Sequence, residues 1–64
     1  MKMYHFNKRE QIGWEPEYRD FECDADAMMY ARTLLGDNCD MVSVYRHEDH
    51  DTCGIKQFVA AYER

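Results

Sequence analysis

Residues Cys23 to Asp40, CDADAMMYARTLLGDNCD, dictate the architecture of this chain. Asp24 is placed to cap a helix, its carboxylate accepting from the backbone N–H of Asp26 or Ala27. Asp26 adds negative charge to the first turn, where the helix dipole favours it. Ala27, Met28, Ala31, Leu34 and Leu35 then recur at i, i+1, i+4, i+7 and i+8, an apolar stripe at helical period. Gly36 supplies a residue able to turn left-handed and stop the helix. The reading is one amphipathic helix over about 24–35, roughly three turns. Such a helix cannot bury its stripe alone, so the flanking chain must build a second layer.

Upstream, Met1 to Lys8 alternates at period two, with Tyr4 and Phe6 on one face and Met1, Met3, His5 and Asn7 on the other. Lys8 to Gly13 reads as a hairpin connection. Trp14 to Glu22 reads as an irregular edge strand, because Pro16 lacks the N–H that an inner strand needs; a loop pinned by Trp14 is the competing reading. Downstream, Asp37 to Asp40 turns the chain, and Met41 to Arg46 is a β-branched strand with Val42 and Val44 on one side. His47 to Gly54 is a polar hairpin loop. Ile55 to Tyr62 is a last strand, with Ile55, Val59 and Ala61 on one face and Phe58, Ala60 and Tyr62 on the other.

The order β-β-α-β-β implies an α+β fold: a two-layer sandwich with a mainly antiparallel four-stranded sheet and one helix over one face. With 64 residues the chain is read as a single small domain. One helix covers one face only. The uncovered face is expected to show Met3, Tyr45, Phe58 and Tyr62, an aromatic patch of the kind that marks an oligomer or partner interface. The bland alternative is a monomer surface whose tyrosines keep their hydroxyls wet.

Charge narrows the function classes. The net charge of −5 argues against direct binding to nucleic acid, which needs Lys and Arg against phosphate. Glu15, Glu17, Asp20, Glu22, Asp24 and Asp26 form an acidic belt suited to steering a basic protein partner. The three cysteines, Cys23, Cys39 and Cys53, are an odd number, which favours reduced thiols over a disulfide scaffold. MKMYHFNKRE lacks the apolar core of a signal peptide, and no run is long enough to span a bilayer, so a cytoplasmic location is expected and no membrane partner.

Two chemical readings centre on the loop. His47, His50 and Cys53 have the spacing His-x-x-His-x-x-Cys, and imidazole and thiolate both suit zinc. A small zinc-stabilised module is therefore one alternative, against a solvated hairpin loop. A His–Cys nucleophile pair would also need an orienting group, an oxyanion site and a pocket, and a chain this small has little room for one. The expectation is a non-enzyme. No glycine-rich phosphate loop exists, since the glycines stand alone at 13, 36 and 54.

The sequence resembles a family of short bacterial proteins of unknown function. The opening strand M-x-x-Y-x-F is met by Met1, Tyr4 and Phe6. The helix pattern A-x-x-x-A-x-x-L-L is met by Ala27, Ala31, Leu34 and Leu35, and the V-x-V strand by Val42 and Val44. Trp14-Glu15-Pro16 and the His/Cys loop lie outside that pattern. The resemblance implies the ββαββ fold and no activity. In size and charge the chain is also similar to phage-encoded inhibitors of host defence, including anti-CRISPR proteins and DNA mimics. The expected function is thus a small acidic protein-interaction domain of bacterial or phage origin, with a phage-type inhibitor as the alternative.

Overall fold

The computed structural model describes residues 1–47 and 56–64. Strand β1 spans Lys2–Glu10 and β2 spans Gly13–Phe21. Helix α1 spans Asp24–Thr33, followed by β3 at Cys39–His47 and β4 at Lys56–Glu63. The strands form one antiparallel sheet in the order β2-β1-β3-β4. The two-layer α+β sandwich expected from the alternation and the helical stripe is the fold observed. β2 and β3 run the same way with β1 between them, and α1 bridges them as a split β-α-β unit.

The core follows from the period-two alternation. Tyr4, Phe6, Val42 and Val44 are fully buried beneath Ala27 and Ala31 of the helix. Small alanines on the helix let it approach the sheet closely, and Phe21, Tyr30, Leu34, Leu35, Val59 and Tyr62 close the margins. Phe6 meets Phe21 and Tyr30 edge-on, with centroids 5.9 and 5.2 Å apart.

Several boundaries differ from the sequence reading. The helix stops at Thr33, two residues short, and Leu34 and Leu35 reach the core from the turn that follows. The residue at the N-cap is Cys23, and no side chain caps the helix. Asp24 is already helical, because its carboxylate is drawn to Tyr4 and Arg46 instead of to the nearby amides. Gly36 is not left-handed; it closes a tight turn with Cys39 through paired backbone hydrogen bonds of 2.9 and 3.3 Å. Gly13 is the described glycine with positive φ, at 124°, where the two-residue β1–β2 turn ends. The hairpin is therefore tighter than the Lys8–Gly13 connection expected: β1 runs on to Glu10 and β2 begins at Gly13.

β2 is a regular edge strand, so the loop reading of Trp14–Glu22 is set aside. Pro16 and the charges of β2 guard that edge, and the outer strand β4 carries a bulge against β3. The bulge is the main correction to the faces. Val44 pairs with Ala60 and Tyr45 with Phe58, which leaves Val59 as the extra residue. The alternation of β4 resets there, so Val59, Ala60 and Tyr62 turn to the covered side while Phe58 and Ala61 stay on the open one.

Candidate functional site

The open face is a grid set by the registers, since residues paired across antiparallel strands point to the same side. One row crosses the whole sheet: Tyr18 on β2, His5 on β1, Tyr45 on β3 and Phe58 on β4. His5 stacks on Tyr18 at 4.8 Å and lies 5.8 Å from Tyr45, which meets Phe58 edge-on at 5.8 Å. The next row is Asp20, Met3, His47 and Lys56; on the other side come Pro16, Asn7, Ser43 and Ala61, then Trp14, Arg9, Met41 and Glu63.

The outer columns of this grid are exposed. Trp14, Tyr18 and Phe58 have 49, 45 and 63% of their surface open to solvent. The central columns are half-buried, and His47 is fully so. The Lys56 ammonium lies 4.5 Å from the centre of the Tyr45 ring and 3.5 Å from Nδ1 of His5. Burial, Lys56 and then His47 push the pKa of His5 down, so the ring is neutral near pH 7. Its Nε2 is buried with no hydrogen-bond partner. Arg9 closes the far end, forming a two-pronged pair with Asp40 at 2.8 and 3.1 Å and lying over the Trp14 ring.

The sequence-selected interface residues divide. Met3, Tyr45 and Phe58 lie together on the open face. Tyr62 does not; it pairs with Val42 and lies beneath Arg32 on the helix side, because the bulge at Val59 reverses its direction. His5, Tyr18 and Trp14 complete the patch. The alternation of β1 already sets His5 beside Met3, but its aromatic neighbours come from strands whose order only the fold supplies.

The acidic belt also divides. Glu17 lies on the helix side, bonded by Lys8 at 3.1 Å, by Arg19 at 2.8 Å and by the Tyr30 hydroxyl. Burial alone would raise its pKa; the hydrogen bonds from Tyr30, Arg19 and Lys8 outweigh it and bring the carboxyl to about 2. Asp24 accepts from the Tyr4 hydroxyl at 2.5 Å and from Arg46 at 2.6 Å. Those bonds hold Asp24 below the usual carboxylate range, while burial and Asp24 push the Tyr4 phenol up. These two carboxylates pin the helix to the sheet. Glu15 shares the helix side of β2 with Glu17, Asp20 is on the open face, and Glu22 and Asp26 are exposed near the start of the helix.

Of the proposed zinc ligands, His47 ends β3, and His50 and Cys53 lie outside the described residues. Among the described residues no three His, Cys, Asp or Glu side chains are grouped to hold a metal ion. Cys23 and Cys39 are free thiols, Cys23 exposed and Cys39 buried with its Sγ 3.4 Å from the Met41 carbonyl. A cavity of about 380 Å³ between the β1–β2 turn and the chain end is lined by Arg9, Asp37, Asp40 and Arg64, whose charges are already paired with one another. No described helix is long and apolar enough to cross a membrane.

The fold and the grid define a small antiparallel α+β domain with one helix-covered face and one aromatic face. Comparison with family models, with curated proteins and with solved structures finds no match to this chain.

Proposed function

We propose that the chain is a non-enzymatic protein-interaction domain that works through its open sheet face. The observation that carries the reading is the Tyr18–His5–Tyr45–Phe58 row, which crosses four strands and ends in exposed rings on both edges. Aromatic residues ringed by polar groups are what interface centres are made of. Arg9 and Lys56 stand on or beside this face against Asp20, Asp40 and Glu63, so the face is nearly balanced in charge and suits a protein surface better than a phosphate backbone. The inhibitor reading, in which carboxylates imitate nucleic acid, draws less from the geometry. Glu17 and Asp24 are tied up by partners within the fold, and the other acids of the belt face different ways.

The test compares the two sides of the molecule. Tyr18→Ser with Phe58→Ser changes the open face; Met29→Ser with Ile12→Ser removes still more exposed apolar groups elsewhere, Met29 being 68% and Ile12 83% exposed. Both pairs are expected to keep the far-ultraviolet spectrum. Association of the wild-type chain, with itself or with a protein it co-purifies with, is expected to persist in the second pair and to vanish in the first. Association unchanged in the open-face pair overturns the reading.

A further inference from the structure

Resting on that reading, we infer that the partner of the open face is a second copy of this chain, docked face to face about a two-fold axis parallel to the strands. A two-fold interface must be complementary to itself: residue i meets residue j, and j meets i. Sheets packed face to face in the aligned mode keep their strands within about 30° of one another, and an aligned two-fold axis centred on the grid lies either along the strands or across them.

The registers distinguish the two. With the axis along the strands, β2 of one protomer lies over β4 of its partner and β1 over β3. Each row then meets itself reversed. Tyr18 of one copy falls opposite Phe58 of the other, and His5 opposite Tyr45, so aromatic rings meet aromatic rings twice over. Met3 falls opposite His47 and Arg9 opposite Met41. At the corners Asp20 falls opposite Lys56, and the symmetry makes that opposite-charge pair twice. With the axis across the strands, Tyr18 would fall opposite Pro16, Phe58 opposite Ala61 and His5 opposite Asn7, so each ring would meet a smaller or polar group. The Tyr18–His5–Tyr45–Phe58 row thus suits the first arrangement, in which Trp14 at the far end lies over Glu63.

The area is that of a weak, reversible interface. Four strands about 4.8 Å apart and about 30 Å long present roughly 570 Å². Two copies would bury about 1,100 Å², against the ~1,200–2,000 Å² of standard interfaces. A reversible dimer that forms at micromolar concentration or above is the result expected. The outer edges are poor alternatives, since Pro16 and charges guard β2 and a bulge interrupts β4.

The decisive experiment is sedimentation velocity on the full chain and on two charge reversals, D20K and K56D. Each variant alone sets like charges against each other at both corners of the dimer, so each is expected to associate about tenfold or more weakly than wild type. An equimolar mixture of D20K and K56D puts opposite charges back at both corners, and its association is expected to return to within about threefold of wild type. Both side chains are exposed, so folding is expected to survive, and circular dichroism checks it. A wild-type chain that stays monomeric at about 1 mM overturns the self-pairing; loss of a co-purifying protein on Tyr18→Ser with Phe58→Ser would still uphold the contact face. A dimer weakened by K56D and untouched by D20K overturns the proposed axis, because Lys56 would then meet Glu63. A dimer indifferent to both charge reversals and to the Tyr18–Phe58 pair overturns the inference and the open-face reading together.

Discussion

The two faces of the sheet are built from the same kinds of residue and end in opposite states. On the covered face, Tyr4 and Phe6 are fully buried, and the polar groups around them are bound in two knots: Tyr4–Asp24–Arg46 and Lys8–Arg19–Glu17–Tyr30. On the open face the rings of Tyr18 and Phe58 remain in solvent, and Nε2 of His5 is buried without a partner. The helix accounts for the contrast. It carries Ala27 and Ala31 onto Val42 and Val44, and it brings Asp24 and Tyr30 to tie down the margins. The open face has aromatic content and no such layer. The first face is therefore finished within one chain, while the second keeps exposed rings, which is the state the proposed contact face requires.

A matched pair of phenylalanines separates the two faces most widely. Phe6→Ala removes a fully buried ring and is expected to cost roughly 3–5 kcal/mol, enough to unfold a domain of this size at room temperature. Phe58→Ala removes a ring that is 63% exposed and is expected to change the stability of the monomer by about 0.5 kcal/mol or less. Urea denaturation at low micromolar concentration measures both. Equal losses would mean that the open face is a second core and not a contact surface.

A smaller effect separates polar groups that hold the fold from polar groups that decorate it. Asp24→Ala leaves the buried Tyr4 hydroxyl and the Arg46 guanidinium without their shared acceptor, and a cost of about 1–2 kcal/mol is expected, because solvent reaches part of the pair. Tyr4→Phe on top of Asp24→Ala should add little, and a double-mutant cycle reads that coupling. Asp26 is the decorative counterpart, exposed in the first turn of the helix. Asp26→Ala is expected to cost no more than the few tenths of a kcal/mol of a dipole contact. The sign with pH follows. Asp24 and Glu17 are both held below their ordinary ranges, so the stability they add is complete above about pH 4.5 and is lost as pH falls toward the folded value, about 2 for Glu17.

Much of the covered face is legible in the sequence, because local signals and long-range packing agree there. Period-two spacing picks out Tyr4 and Phe6, β-branched residues mark β3, and the Ala27–Ala31 spacing marks the buried side of the helix. The roles of the carboxylates are not legible. Asp24 reads as a cap until Tyr4 and Arg46, 20 and 22 residues away, compete for it. The face of Tyr62 is hidden for a similar reason. Its reversal depends on a one-residue bulge at Val59, and alternation counted along β4 cannot register an extra residue. The open row is half legible: Tyr45 and Phe58 stand out as aromatics, but Tyr18 joins them only through the strand order β2-β1-β3-β4.

The mildest test concerns His5, the polar residue at the centre of the open row. It is packed among Tyr18, Tyr45, His47 and the Lys56 ammonium, and burial, Lys56 and His47 all disfavour its protonated form. Its pKa in the folded chain is therefore below the value of about 6.5 that it takes when unfolded. Between those two values the unfolded chain binds more protons than the folded one, so stability falls as pH drops below about 6.5 and is fully present above it. This loss is distinct from the carboxylate one, which begins about two units lower. His5→Gln keeps a polar side chain and removes the titration. Urea midpoints at pH 7.5 and 5.5 should fall by a modest amount in the wild type and by less in His5→Gln. If the dimer forms, raising the protein concentration should widen that gap, since His5 is then enclosed against Tyr45 of the second copy and its protonation is more costly. An equal fall in both chains would show that the ring is already solvated, and that the open face is wetter than its row of aromatic contacts implies.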